Sequence, residues 1–157
     1  MKKIPLSKGQ FAIVDDEDYE KLVQWKWHQS VSGYAIRNDS IINGIQPKVY
    51  MHRLILNVPN GFQGDHINRN KLDNRRKNLR ICTKAENRYN KGPIQRKTAS
   101  IYKGVYWHRP ARKWYGHIQH NNKVTHLGMF KTEKEAAIAY NKRALKLFGQ
   151  FARLNVL

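Results

Sequence analysis

Acidic residues, cysteines and long apolar runs are all scarce in this chain of 157 residues. The single cysteine, Cys82, excludes an internal disulfide framework and a cysteine-based zinc site. No apolar run is long enough to span a bilayer, and the opening residues, MKKIPLSKG, are not followed by the apolar core of a signal peptide. We therefore expect the protein to stay in a reducing cytoplasm.

The shortage of acidic residues leaves the chain with a large positive charge. It has 30 Lys and Arg residues against 11 Asp and Glu, a net charge of +19. Residues 1–64 carry a net +2, residues 65–97 a net +8 and residues 98–157 a net +9. Such an excess repels itself unless a polyanion is bound. Because no cationic amphipathic helix or lipidation signal points to a membrane surface, the charge predicts a nucleic acid partner.

The spacing of apolar residues predicts an α+β fold. The length and the 40% hydrophobic content allow one domain or two small ones. In the first part of the chain, short strands are predicted at residues 11–14, 25–28, 34–37 and 49–56. A short helix is predicted behind the acidic residues 15–18, because negative charge stabilises a helix N-terminus. This part is therefore expected to be strands with little helix.

A stretch with Gly, Pro and small polar residues, 92–100, is predicted to be a linker. It would separate a first domain at residues 1–91 from a second at residues 101–157. The second domain has a different sequence pattern. Its alternating aromatic segments predict a three-stranded antiparallel sheet at residues 102–108, 114–120 and 124–130. A capping box at Thr132 and Glu135 then opens an Ala-rich helix that we expect to pack on this sheet.

The most informative motif lies in residues 64–90, which read GDHINRNKLDNRRKNLRICTKAENRYN. It contains the pair Asp65-His66, and Asn78 and Asn87 follow His66 at 12 and 21 residues. Hydrolysis of a phosphodiester needs a base near the attacking water and a cation near the leaving oxygen. His66 has the intrinsic pKa of such a base. Asp65 offers a hard anionic oxygen, and Asn87 a neutral one, to Mg²⁺ or Mn²⁺.

Local signals place this motif on regular elements. Residues 79–82 are a strand candidate, and a capping box at Thr83 and Glu86 predicts a helix over residues 84–90. Residues 68–77 are nearly all polar and are expected to form a loop or a poor helix. Because adjacent residues of a regular strand point to opposite sides, the Asp65-His66 pair must sit at a strand end or a distortion.

The pattern DHIN, the Asn before LR and the Asn nine residues further on resemble the HNH homing endonucleases in their H-N-N variant. The resemblance covers about residues 1–90, with the IPLSKGQFAIVDDEDY opening and the MHRLIL strand. It implies a ββα-metal (His-Me finger) nuclease domain with His66 as the general base and Asp65 and Asn87 as ligands of a single metal ion. Asn78 would brace the loop that orients His66. A phage or other mobile-element origin, within a bacterial host cell, is also implied.

Basic residues around this motif are candidate phosphate contacts, namely Arg75, Arg76 and Arg80. The last motif position is His in many relatives and Asn87 here. A neutral oxygen donor at that position favours Mg²⁺ or Mn²⁺ over zinc.

The segments KGVYWHRPARKWYGHI, HLGMF, EAAIAYNKRALKLFG and FARLN resemble the plant AP-two/ERF type DNA-binding domain over about residues 100–155. The resemblance implies that Arg and Trp side chains of the sheet touch DNA in the major groove, which admits a β-ribbon. Strand alternation puts Trp114 on the face expected to meet the helix and leaves the other face for DNA. The predicted DNA-binding residues are Trp107, Arg109, Arg112, Lys113, Trp114, His117 and Gln119, and each Trp would pack with one edge and contact DNA with the other.

These observations predict a metal-dependent, site-targeted DNA endonuclease whose first domain cuts and whose second domain binds double-stranded DNA. We expect a monomer with no membrane or small-molecule partner. A non-catalytic DNA-binding protein or regulator with a decayed nuclease fold is the main alternative. An RNA-binding protein is a further alternative, because stacking aromatic residues fit it, although no RNA-module signature is present.

Overall fold

The computed structural model describes residues 1–92 and 100–157. The chain divides into two compact units, Met1–Asn87 and Arg88–Leu157. Most of the predicted linker, residues 93–99, lies outside the described residues. Within those that are described, no helix has the length and apolar character needed to cross a membrane.

The first unit combines two small sheets with short helices before its central hairpin. An antiparallel pair and a three-stranded antiparallel sheet account for the strands, and the elements in chain order are β1 (Lys2–Pro5), β2 (Phe11–Val14), α1 (Asp16–Val23), β3 (His28–Gln29), β4 (Ala35–Asn38), β5 (Lys48–Tyr50) and α2 (Met51–Leu56). The core includes Val14, Leu22, Trp27 and Met51. The Trp27 indole donates a hydrogen bond to the carbonyl oxygen of Leu22 (2.8 Å), which satisfies its buried polar group.

Two strand predictions for this unit are wrong. The strand predicted at residues 49–56 ends at Tyr50, and residues 51–56 form α2. Met51 and Ile55 are four positions apart and both buried, the spacing of one helix face, whereas a short apolar run alone fits either a strand or a helix. The strand predicted at residues 25–28 begins only at His28.

The motif region follows as a β-hairpin and a helix. β6 (Gln63–His66) pairs antiparallel with β7 (Leu79–Cys82), and α3 (Lys84–Tyr89) comes next. The predicted capping box is confirmed, because the Thr83 amide donates to Glu86 Oε2 (2.7 Å) and the Glu86 amide donates to Thr83 Oγ1 (3.2 Å). Residues 64–90 therefore occupy two strands, the intervening loop and one helix.

The second unit is a meander with one helix, as predicted. β8 (Val105–His108), β9 (Lys113–His120) and β10 (Lys123–Phe130) pair antiparallel in the order β10-β9-β8, and α4 (Glu133–Phe148) follows. The Thr132–Glu135 capping box that opens α4 is present. Gly104 lies directly under Tyr140 of α4, where a Cβ atom would stand 2.2 Å from Tyr140 Cδ2. The close approach of the chain to α4 therefore requires glycine at this position.

Candidate functional site

The Asp65-His66 pair ends strand β6, in agreement with the predicted position at a strand end or a distortion. Asp65 pairs in register with Arg80, and His66 with Leu79. Strand alternation puts Asp65 on the same face of the hairpin as Gln63 and turns His66 to the opposite face with Gly64. Both side chains of the pair are buried. His66 is the last residue of this strand.

His66 lies in a cluster of rings. Its imidazole centroid is 4.9 Å from that of His52 and 5.9 Å from the ring of Tyr34. Gly64 leaves room for this packing, because a Cβ atom there would lie 2.6 Å from His52 Cδ2. Burial, with smaller contributions from His66 and Arg53, lowers the pKa of His52 to about 3. His52 is therefore a neutral ring against His66 at pH 7.

The pKa of His66 is also lowered. Burial is the largest cause, whereas the Asn74 hydrogen bond and the carboxylates of Asp65 and Asp73 act in the opposite direction. The imidazole of His66 is consequently neutral near pH 7, the state in which it can accept a proton. The same carboxylates favour the imidazolium once that proton is taken up.

Asn74 holds the His66 ring from the far side. It is 0% exposed, its side-chain Oδ1 lies 3.2 Å from His66 Nε2, and its backbone N–H donates to the Ile13 carbonyl oxygen of β2 (2.7 Å). Because an amide oxygen can only accept, this contact puts the imidazole proton on Nε2 and makes Nδ1 the basic nitrogen. Sequence reasoning missed Asn74, since a run of polar loop residues does not show which side chain turns inward.

Asn78 spans the loop that leads away from His66. Its Oδ1 accepts a hydrogen bond from the backbone N–H of Asn68 (2.9 Å), and its Nδ2 donates to the backbone carbonyl oxygen of Asp73 (2.7 Å). The side chain is buried, so both of its polar groups are satisfied inside the protein. These contacts tie the loop together, while the bracing role of Asn78 toward His66 stays a prediction.

Two of the predicted DNA contacts in this loop are engaged within the unit. Arg75 donates twice to the Asp73 carboxylate (2.7 Å each), and that hydrogen bonding is the main cause that lowers the pKa of Asp73. Arg76 donates to both oxygens of Asp18 in α1 (2.9 and 2.7 Å). These ion pairs give Arg75 and Arg76 a structural role, while their contact with DNA stays a prediction.

Arg80 is bound to the predicted metal ligand itself. Its Nε and Nη2 donate to Asp65 Oδ2 at 2.9 and 2.7 Å. Both side chains are nearly enclosed, Arg80 at 11% and Asp65 at 8% exposure. An ion pair so poorly exposed to water is screened much less than one on the surface. The third predicted phosphate contact of this region therefore lies against a carboxylate in the structure.

Asn87 reaches the same face of the hairpin as Asp65. Its Nδ2 donates to Gln63 Oε1 (2.8 Å), and Gln63 shares the face of β6 that carries Asp65. This hydrogen bond turns Oδ1 of Asn87 away from Gln63. Throughout the described residues, no group of three or more His, Cys, Asp or Glu side chains could hold a metal ion. The carboxylate of Asp65 and the amide oxygen of Asn87 are nonetheless hard donors that fit Mg²⁺ or Mn²⁺.

The second unit divides its predicted DNA-binding residues between two faces of the sheet. Trp107 and Trp114 are cross-strand partners with ring centroids 5.2 Å apart. Trp114 packs against Ala136 and Ala137 of α4, so this face is the one that meets the helix. Trp107 is 42% exposed. Contact of either Trp with DNA is thus restricted to its exposed edge.

The opposite face of the sheet is rich in aromatic and imidazole rings. Tyr115 lies at its centre, 4.7 Å from the ring of Tyr106 and 5.0 Å from that of His126. By strand alternation this face also carries the other predicted contacts of β9, which are Lys113, His117 and Gln119. It is therefore a continuous surface of rings, amide and ammonium groups.

Arg109 and Arg112 lie in the turn between β8 and β9, at the end of that surface. Both side chains are exposed. In the part of the chain that the structure describes, neither arginine forms an ion pair, and Lys113 forms none either. These cations are therefore open to an external anion.

The sequence is similar to a known protein family and to several known proteins. Residues 49–89 match the family model of the HNH endonucleases. A protein of Acanthamoeba polyphaga mimivirus named as an uncharacterized HNH endonuclease is 34% identical over 151 residues, which cover 94% of this chain and 76% of that protein. Protein 3.8 of an Escherichia phage is 30% identical over 96 residues, 61% of this chain and 78% of that protein.

A plant protein is a further, partial relative of the chain. An APETALA2-like protein 2 of Oryza sativa is 38% identical over 65 residues, 41% of this chain and 14% of that protein. No solved structure matches the chain.

Proposed function

The chain belongs to the HNH endonuclease family and is a nuclease of that type, and on this basis we propose that it is a metal-dependent, site-targeted DNA endonuclease. The observation that carries the proposal is the Asp65-His66 pair at the end of β6, with His66 buried against Asn74 and Asn87 on the face of Asp65. The proposal assigns cleavage to the first unit, in a ββα-metal arrangement of β6, β7 and α3, and target binding to the second.

His66 acts as the general base. Its neutral imidazole takes a proton from the attacking water at Nδ1 while Asn74 Oδ1 holds the proton on Nε2. Because the ring cannot rotate without losing that hydrogen bond, its basic nitrogen keeps one direction. The carboxylates of Asp65 and Asp73 then stabilise the imidazolium, and Asn78 fixes the loop that carries Asn74.

Asp65 and Asn87 would hold a single Mg²⁺ or Mn²⁺ through one carboxylate and one amide oxygen. When bound, such an ion supplies positive charge to the leaving oxygen and to the developing charge on the phosphoryl group. Gln63 supports this role of Asn87, because it accepts a hydrogen bond from Asn87 Nδ2 and leaves the oxygen to point elsewhere.

The second unit binds the DNA target as an AP-two/ERF type module. The face with Lys113, His117 and Gln119 lies in the major groove, and Arg109 and Arg112 at its end contact phosphates. Support comes from the partial match to an APETALA2-like protein and from the absence of ion pairs at these cations among the described residues. Linkage to the cutting unit raises the effective concentration of the second contact, which is what a homing role in a phage or mobile element needs.

Cleavage of supercoiled plasmid tests this function. Wild-type protein with Mg²⁺ or Mn²⁺ should nick or cut the plasmid, and EDTA should abolish the reaction. A His66→Ala variant should still shift DNA in a gel but should not cut it, whereas the matched control His28→Ala should cut normally. If the wild-type plasmid stays intact with both metals while the gel shift persists, the chain is instead a DNA-binding protein with a decayed nuclease fold.

A further inference from the structure

The Asp65–Arg80 ion pair stands out from the other arginine–carboxylate pairs of the first unit. Arg75 and Arg76 neutralise Asp73 and Asp18, carboxylates to which the proposed function gives no metal. Arg80 neutralises Asp65, the one charged donor of the proposed metal site. The register of the hairpin brings these two side chains together, because Asp65 and Arg80 are direct cross-strand partners.

A single carboxylate cannot serve two cations well in this environment. Asn87 is neutral, so Asp65 supplies the negative charge of the proposed donor set. With both side chains of the ion pair nearly enclosed, water screens the repulsion between a guanidinium and a divalent ion only weakly. A metal that binds Asp65 must therefore displace Arg80 or bear its repulsion.

We propose that Arg80 is an internal competitor of the metal ion, which neutralises Asp65 in the metal-free protein and thereby sets the affinity of the site for divalent cations. The proposal rests on the proposed function, because it takes Asp65 as a metal ligand. It makes Arg80 a residue that determines metal affinity, in place of the phosphate contact expected from the sequence.

Mn²⁺ binding to the full chain without DNA tests the competition, with the EPR signal of free Mn²⁺ as the readout. Arg80→Met should bind Mn²⁺ at least about tenfold more tightly than wild type, because a unit charge beside a poorly solvated carboxylate repels a second cation strongly. Arg80→Lys keeps the positive charge but lacks the several fixed N–H donors of the guanidinium, so its Mn²⁺ affinity should rise by a smaller factor. The control Arg143→Met removes an equal charge from the exposed face of α4 and should bind like wild type.

The rise in melting temperature on adding Mn²⁺ gives a second readout, which should be larger for Arg80→Met than for wild type. Unchanged or weaker Mn²⁺ binding in a folded Arg80→Met protein overturns the competition. If that variant does not fold, Arg80→Lys decides by the same criterion. Asp65→Asn separates the two proposals: loss of Mn²⁺ binding in this variant supports the metal assignment whatever Arg80 does. Equal binding by Asp65→Asn and wild type removes Asp65 as a ligand and overturns both proposals.

Discussion

The two units of this molecule carry equal numbers of Lys and Arg residues but differ in how many carboxylates surround them. Met1–Asn87 has 15 basic and 9 acidic residues, whereas Arg88–Leu157 has 15 basic and 2 acidic residues. In the first unit, arginines lie against carboxylates, as Arg75, Arg76 and Arg80 do. In the second, the two acidic residues are occupied at the start of α4, where Glu135 closes the capping box and Glu133 accepts a hydrogen bond from Ser100.

This difference separates two uses of positive charge. Cations in the first unit stabilise a polar loop and a buried carboxylate, so they organise the proposed site from inside. Cations such as Arg109 and Arg112 in the second unit have no internal anion among the described residues, so a polyanion is their natural partner. Cleavage should therefore be sensitive to mutation of the buried neutral and ion-paired groups of the first unit. The salt dependence of DNA binding should instead be sensitive to mutation of the exposed cations of the second unit.

The largest effect should come from His66. Replacement by Ala removes the proposed base, and general base catalysis contributes roughly 10²–10⁴-fold to a rate. We expect single-turnover plasmid nicking by His66→Ala to fall by that factor while the gel-shift affinity, which we assign to the second unit, does not change. A parallel loss of DNA affinity would break the separation between the two units.

Asn74 should have the next largest effect, because it acts on cleavage only through His66. Mutation of the partners that orient a metal-ligating histidine typically costs about 10–100-fold in activity, and a histidine base held in one orientation should be similarly sensitive. We expect Asn74→Ala to lower the nicking rate by roughly that amount and Asn74→Asp, which keeps an acceptor oxygen, to restore part of it. Asn70→Ala, at an exposed Asn of the same loop, is the control. Equal rates for Asn74→Ala and Asn70→Ala in folded proteins would remove Asn74 from the site.

The exposed cations of the second unit should govern the response of binding to salt. The double variant Arg109→Met with Arg112→Met should make the plot of log affinity against log salt concentration shallower by about 2, because each phosphate contact contributes about 0.9 to the slope. Lys142→Met with Arg143→Met removes the same charge from the exposed surface of α4 and should leave the slope unchanged. Equal slopes for the two double variants would show that net charge alone drives binding.

The sequence predicted best those parts of the structure that depend on local spacing. The capping boxes at Thr83 and Thr132 are four-residue patterns, and both open the expected helices. Residues 51–56 were predicted as a strand because their apolar run fits two periodicities, and packing of Met51 into the core decides for a helix. Local pattern thus fails where burial chooses between two allowed structures.

The same limit applies to the candidate site. The spacing of Asp65, His66 and Asn87 identifies the residues that the hairpin and α3 gather. The partners of these residues depend on contacts across the fold, since Asn74 is fixed by the backbone of Ile13 in β2. The position of Arg80 in the sequence, two residues after Asn78, likewise does not show whether its side chain faces DNA or Asp65. The strand register makes Asp65 its partner.

The smallest effect, and the most direct test of the contrast between the units, should come from Arg76. The sequence suggested a phosphate contact, whereas the structure joins its guanidinium to Asp18 in α1. Arg76 is 49% exposed, so solvent screens its charge, but Asp18 is only 8% exposed and would lose its partner. We therefore expect Arg76→Met to lower the free energy of unfolding by about 1–2 kcal/mol. Urea unfolding measures this change, and the salt slope of DNA binding should not move. A shallower slope with unchanged stability would instead make Arg76 a DNA contact, and the first unit would then share the role of the second.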